Sequence, residues 1–246
     1  MFNDIKIIYE DNDVLVIDKP AGLVVFAESS KVLGSEASQT SPLTLMEALL
    51  EKHPNLGDVG HPPRYGIVHR LDKDTSGVLL VAKNNEALIF LQEQFKNRKV
   101  GKKYLALAVG TIKEDKGRIE TLIGRSPMDP RKQKAYGAET ENNGPKLIRK
   151  AVTEYKVLKR FNGYTLLEVA PRTGRKHQIR CHMAYIHHPL AGDKIYGFKD
   201  SPKLIDLTRQ FLHASSLRIT LPNGEIKEFK LNLSEDLKKV LNNLQK

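Results

Sequence analysis

An aspartate set among cations is the first feature of this chain that can do chemistry. Residues 66–83 read GIVHRLDKDTSGVLLVAK, with Asp72 between the pair His69-Arg70 and a Thr75-Ser76-Gly77 turn. An apolar, strand-like run from Val78 to Ala82 follows directly. A carboxylate at the mouth of a strand, kept ionised by neighbouring positive charge, suits a nucleophile or a base. The same residues also describe a plain surface ion pair, and spacing alone does not separate the two. Asp74 is a rival carboxylate two residues on.

A second stretch, residues 171–197, reads PRTGRKHQIRCHMAYIHHPLAGDKIYG. Lys176 to Ile186 reads as a helix, with Ile179, Met183 and Ile186 as its apolar stripe and Pro189 as its stop. Gly174, Arg175 and Lys176 then stand at its N-terminus, where free backbone N–H groups favour an anion. An arginine fork here can hold a carboxylate bidentately and keep it ionised at neutral pH. Cys181, His182, His187 and His188 raise a zinc reading. Against it, there is no second cysteine pair, and Cys181 and His182 face different sides of the helix.

Taken together, these stretches resemble the RluA-type pseudouridine synthases. That family carries an HRLD-x-x-TSG segment and, roughly a hundred residues later, TGR-x-HQIR-x-H followed by HP-x-x-GD-x-x-YG. Asp18-Lys19-Pro20-Ala21-Gly22 resembles its KP-x-G turn, and Lys103-Tyr104-Leu105-Ala106-Leu107 its K-x-Y strand. Phe211-Leu212-His213-Ala214 matches a weaker LHA element. The matches fall in family order along almost the whole chain. His187 departs from the pattern, standing where the family commonly has glycine before His-Pro. Glycine is the easy residue for a left-handed helix cap, and histidine tolerates that geometry at some cost.

The resemblance implies an isomerase that converts uridine to pseudouridine in structured RNA, ribosomal or transfer, after extruding the base from its stack. It implies Asp72 as the essential carboxylate, Arg175 as the cation that pairs with it, and Tyr104 as the ring against the base. By the same resemblance Arg70 takes part in flipping the base. His69, Arg172, Lys176, His177 and Arg180 are candidates for RNA contacts. On the residues alone His69 also reads as a structural histidine, Arg172 and Arg180 as structural pairs, and Tyr104 as core. No metal or cofactor enters this chemistry.

Elements must position these groups. Strand patterns cover 5–9, 14–18, 78–82, 104–109, 155–158, 164–169, 217–221 and 226–231, and helical spacing covers 44–52, 86–98 and 234–244. Thr44 and Glu47 stand at capping-box spacing. Strands in runs with helices between some of them predict an α+β fold with a mixed, mainly antiparallel central sheet flanked by helices. The resemblance adds two lobes with a catalytic cleft between them, and residues 1–246 as a single catalytic domain without a separate N-terminal RNA-binding module. Residues 27–42 are serine-rich and read as a mobile loop. Residues 127–150 read as an irregular basic excursion suited to phosphates, or as a solvated loop.

Across its 246 residues the chain carries 40 Lys and Arg against 29 Asp and Glu, a net charge of +11. That favours a polyanionic partner, with nucleic acid ahead of a membrane surface. No apolar run approaches the ~20 residues that span a bilayer, and no secretory pattern opens the chain. Cys181 is the only cysteine, so no internal disulfide forms and a cytoplasmic setting is expected. A monomer is in keeping with the family. The competing classes are a non-catalytic RNA-binding protein of the same fold and a zinc hydrolase. A phosphate-transfer enzyme lacks its glycine-rich segment.

Overall fold

The computed structural model describes residues 5–27, 44–137, 140, 147–202 and 204–245. Among them are ten strands and four helices, a mixed α+β fold as the runs of strands predict. The chain divides into two compact units, Met1–Val100 with Ser216–Leu231, and Gly101–Ser215 with Asn232–Lys246. The expected loop 27–42 lies outside the described residues except for Ala27.

In the first unit β2 (Val14–Lys19) lies between β1 (Lys6–Glu10) and β3 (Ser76–Ala82), both antiparallel to it. Val14 to Ile17 are all buried, which is why this strand reads as a continuous apolar run instead of an alternation. Helix α1 (Leu45–Lys52) opens with the predicted capping box: Thr44 N–H donates to Glu47 Oε2 at 2.7 Å, and Glu47 N–H to Thr44 Oγ1 at 3.2 Å. Helix α2 (Asn85–Lys96) starts on the Asn84 side chain, which accepts from Ala87 N–H at 2.8 Å.

The second unit begins with β4 (Gly101–Val109), β5 (Lys116–Arg125), β6 (Gln133–Tyr136), β7 (Arg149–Phe161) and β8 (Tyr164–Pro171). Their order is β4-β8-β7-β5-β6, each pair antiparallel. Residues 127–150 are therefore not wholly irregular. Gln133–Tyr136 pairs with β5, and Arg149 and Lys150 already belong to β7. β5 itself is absent from the sequence pattern because Lys116 to Glu120 carries a single apolar side chain, Ile119. Gly117 lies opposite Tyr155. A Cβ there would sit 2.3 Å from the Tyr155 ring, so only glycine lets the aromatic cross the strand.

Helix α3 (Gln178–Tyr185) lays Ile179 and Met183 against Ala106, Ala108, Leu167 and Val169 of β4 and β8. It starts two residues later than its pattern suggests, with His177 as N-cap at φ +54°. His187 takes φ +64°, the left-handed geometry expected where the family has glycine. Strand β9 (Leu212–Thr220) gives Leu212–Ser215 to this unit and Ser216–Thr220 to the first, where β10 (Ile226–Lys230) pairs with it. Helix α4 (Glu235–Asn243) closes the second unit by burying Leu237 and Val240 with Leu107, Tyr164 and Phe211.

Two interior histidines couple this fold to pH. His182, fully buried, holds Thr153 Oγ1 at 2.7 Å and Thr121 Oγ1 at 3.0 Å through its two ring nitrogens. Burial pushes its pKa down to about 4, and His213 likewise to about 4, helped by the charge of Arg209. Between the ordinary value near 6.5 and about 4, the unfolded chain takes up protons that the folded chain refuses. Their stabilising contribution is thus complete above about pH 6.5 and lost as pH falls toward about 4, of order 3 kcal/mol for each imidazole. Urea denaturation across pH 4 to 8 is expected to show a falling midpoint below pH 6.5 whose slope His182→Gln roughly halves, His213 supplying the rest. A midpoint independent of pH in that window would contradict this account.

Candidate functional site

The carboxylate candidate belongs to the first unit. Asp72 is half-buried in the segment leading into β3, and its carbonyl accepts from Thr75 N–H at 3.1 Å, closing the turn ahead of the buried pair Thr75 and Ser76. The turn is anchored from below by Lys19. This lysine is wholly buried at the end of β2, and its Nζ donates to Pro20 O at 2.7 Å, Leu23 O at 2.8 Å and Lys73 O at 3.0 Å. Gly22, at φ +85°, adds its own N–H to Lys73 O at 2.9 Å. The Lys-Pro-x-Gly turn thus grips the backbone of the residue next to Asp72. A lysine recognised only as part of a motif turns out to supply an ammonium that satisfies three carbonyls.

Flanking side chains in this unit divide into exposed and internal ones. Arg70 is exposed, with its guanidinium carbon 5.1 Å from the centre of the Phe26 ring, and Arg64 lies over the same ring at 5.1 Å. His69 is half-buried, stacked on Phe95 at 4.9 Å, and its Nε2 accepts from Leu80 N–H at 3.0 Å. That acceptor role fixes its tautomer and supports the structural reading of His69.

Tyr104 and Arg175 belong to the second unit. Tyr104 lies on β4 opposite Val169 of β8, half-buried, and Arg175 lies in the turn that leaves β8. That turn is tied down by one side chain absent from the candidate residues, Gln178. Its Oε1 accepts from Thr173 Oγ1–H at 2.6 Å and Arg175 N–H at 3.0 Å. Its Nε2 donates to Val152 O at 2.9 Å and Thr153 Oγ1 at 2.9 Å. Thr173 Oγ1 also accepts from Val152 N–H at 3.0 Å, and Arg175 Nε donates to Lys150 O at 3.1 Å. The Arg175 amide is therefore turned to the Gln178 side chain, and the helix that begins at Gln178 does not offer it to an outside anion.

The remaining candidates separate by burial. Arg180 is buried, forms a bidentate pair with Asp193 at 2.7 and 2.9 Å, and lies over the Tyr196 ring. The Arg180 guanidinium and two backbone N–H groups hold Asp193 ionised against the burial that would raise its pKa. A guanidinium so placed braces α3 against the Gly192-Asp193 turn, which supports the structural-pair reading of Arg180. His177 bonds the Tyr196 hydroxyl through Nδ1 at 3.1 Å. Arg172 is exposed and paired with Glu154 through Nε at 3.0 Å and Nη2 at 2.7 Å. Lys176 is exposed. Cys181 is buried with its thiol pushed up to about 12 by desolvation, its sulfur toward Gln133 O.

One further cation lies beside this turn. Lys102, half-buried two residues before Tyr104 on β4, donates from Nζ to Thr173 O at 3.2 Å. Burial alone lowers its pKa to about 8.

These motifs have known counterparts. A family model described as RNA pseudouridylate synthase matches residues 13–185. The chain belongs to this family of isomerases. It is 42% identical over 244 residues to an RNA pseudouridine synthase of Bacillus subtilis (strain 168), across 99% of this chain and 74% of that protein. It is 41% identical over 244 residues to the ribosomal large subunit pseudouridine synthase D of Nitrosomonas europaea, across 96% of this chain and 64% of that protein. A relative from Aquifex aeolicus, 46% identical over 199 residues, is covered over 57% of its length. The chain thus spans from about half to three quarters of the length of these relatives. Among solved structures, human RNA pseudouridylate synthase domain containing 1 matches with a TM-score of 0.71 and 28% identity, over 99% of this chain and 95% of that one. Domain containing 4 matches with a TM-score of 0.72 and 27% identity, over 98% and 93%. The RluA-type resemblance read from the motifs is met, and so is the fold it implies.

Replacing Lys19 with methionine keeps the volume and removes the donor to three carbonyls. Lys73 O keeps the Gly22 N–H, while Pro20 O and Leu23 O lose this donor at about 1–3 kcal/mol each, so a loss of roughly 3 kcal/mol is expected for Lys19→Met. Urea denaturation measures it, and an unchanged unfolding free energy would contradict the anchoring role.

Proposed function

We propose that this chain isomerises uridine to pseudouridine in structured ribosomal RNA, with Asp72, Arg175 and Tyr104 working on one extruded nucleotide. In this reaction the bond from uracil N1 to ribose C1′ breaks, the base turns, and a bond from C5 to C1′ replaces it. N1 gains a proton and C5 loses one, so the product is an isomer of the substrate.

The carboxylate of Asp72 meets the sugar, either at C1′ as nucleophile or at the C2′ proton as base. The Arg175 guanidinium keeps it charged. The Tyr104 ring holds the base, and its hydroxyl serves the removal of the C5 proton. Arg70, exposed above Phe26, enters the RNA where the base leaves its stack. Lys176 and Arg172 meet phosphates nearby. The ribosomal target is supported by the printed name of the large-subunit relatives. The reading places the enzyme in the cytoplasm as a monomer whose single catalytic domain uses no metal.

One observation carries this reading: the span matched by the family model, 13–185, contains Asp72, Tyr104 and Arg175 together, each in its motif. A decayed relative that only binds RNA has no reason to keep all three.

The test is Asp72→Asn, which preserves shape and removes the charge. Pseudouridine formation in ribosomal RNA is expected to fall at least about 10³-fold, while the RNA dissociation constant stays within about threefold. Retention of most activity would overturn the assignment. Wild-type protein that binds the RNA and forms no pseudouridine would establish the non-catalytic reading instead.

A further inference from the structure

Lys102 is a cation that the chemistry above does not use. Its carrier strand, β4, also carries Tyr104 two residues on, so both side chains leave the same face of the sheet. Its ammonium reaches across to the turn of Arg175, where Thr173 O accepts one of its three protons at 3.2 Å. Gly174 stands beside this ammonium. A side chain at position 174 would meet Lys102 Nζ first, at 3.8 Å, and glycine leaves that flank open to an incoming group. Among the described residues no carboxylate pairs with Lys102. Its neighbour Lys103, by contrast, is paired with Glu168 at 3.2 Å.

A partly desolvated ammonium without a countercharge is costly to keep. Burial alone has brought its pKa down to about 8, with no nearby anion to raise it again. On the adjoining turn Arg175 and Lys176 add further positive charge. This is the electrostatic setting of a site that waits for an anion brought by its substrate.

We propose that Lys102 receives a backbone phosphate of the RNA beside Tyr104, with the open flank of Gly174 as its entrance. The inference rests on the RNA-modifying reading and extends it to a specific contact. A phosphodiester oxygen on Nζ, with Thr173 O holding the ammonium from behind, fixes the sugar-phosphate backbone at the distance of one side chain from the tyrosine ring. Such a contact positions the nucleotide without reading its sequence.

Binding of a ribosomal RNA transcript is measured at several salt concentrations for wild type, Lys102→Met, Lys102→Arg and Lys103→Met, each checked for an unchanged melting temperature. Pseudouridine formation by the wild type is recorded in the same samples. Lys102→Met is expected to bind about tenfold more weakly near 0.1 M salt, with the slope of log K against log salt reduced by about one. Lys102→Arg is expected to restore binding and slope, since any charge of that reach meets a phosphate. Lys103→Met is expected to change binding less than twofold. Wild-type affinity and slope in Lys102→Met, an equal loss in Lys103→Met, or no recovery in a folded Lys102→Arg would each overturn the phosphate contact. Wild type that binds but forms no pseudouridine would overturn the enzymatic reading, and the binding comparison would still decide Lys102.

Discussion

A single buried amide holds the second unit's functional turn in place. Gln178 has two donors and two acceptor positions, and all four are occupied: Val152 O and Thr153 Oγ1 on one side, Thr173 Oγ1 and Arg175 N–H on the other. Thr153 passes the network to His182, and His182 to Thr121. Two strands, a turn and a helix are thereby joined by largely buried hydrogen bonds. In a low-dielectric interior such a network is stable only if every member is satisfied, and then it admits one arrangement. The backbone at Thr173-Gly174-Arg175, and through it the direction in which Arg175 and Lys102 point, follows from that arrangement.

The first unit solves the same problem with a charge. Lys19 supplies protons to three carbonyls of the Lys-Pro-x-Gly turn and the Asp72 segment, one of which, Lys73 O, also accepts from Gly22 N–H. In both units the groups proposed for chemistry are exposed or half-buried, while the residues that hold the Asp72 and Arg175 turns are interior and polar. Cations are divided in the same way. Arg180 is buried against Asp193, and Arg118, Lys150 and Arg172 are meshed with Glu120 and Glu154. Arg172 and Arg118 lower the pKa of Glu154. A net charge of +11 therefore overstates how many positive side chains a polyanion meets.

Much of this was legible from residues alone, for identifiable reasons. Helix α1 announces itself because its cap is a local hydrogen-bond exchange written in two residues, Thr44 and Glu47. Val78–Ala82 and Val14–Asp18 stand out because strands buried on both faces need no polar positions. His187 was expected to strain, and does, because a left-handed φ is a property of one residue. What escaped depends on partners far along the chain. In β5 the Tyr155 ring lies across Gly117, a cross-strand relation that no local pattern carries. Gln178 looks like one more polar residue on a helix until four partners from β7 and the turn surround it. Arg180 reads as an RNA contact by its charge and becomes interior only when Asp193, 13 residues on, arrives beside it. Lys102 stands at the K-x-Y spacing from Tyr104, but its place beside the Arg175 turn shows only through the Thr173 carbonyl.

The most direct measurement follows the hydrogen on uracil C5. Ribosomal RNA carrying tritium at C5 of uridine is incubated with the purified chain, and tritium released to water is compared with pseudouridine formed. The account predicts release in a one-to-one ratio with product and saturation at a small number of uridines per RNA. RNA that is bound without losing tritium would contradict it.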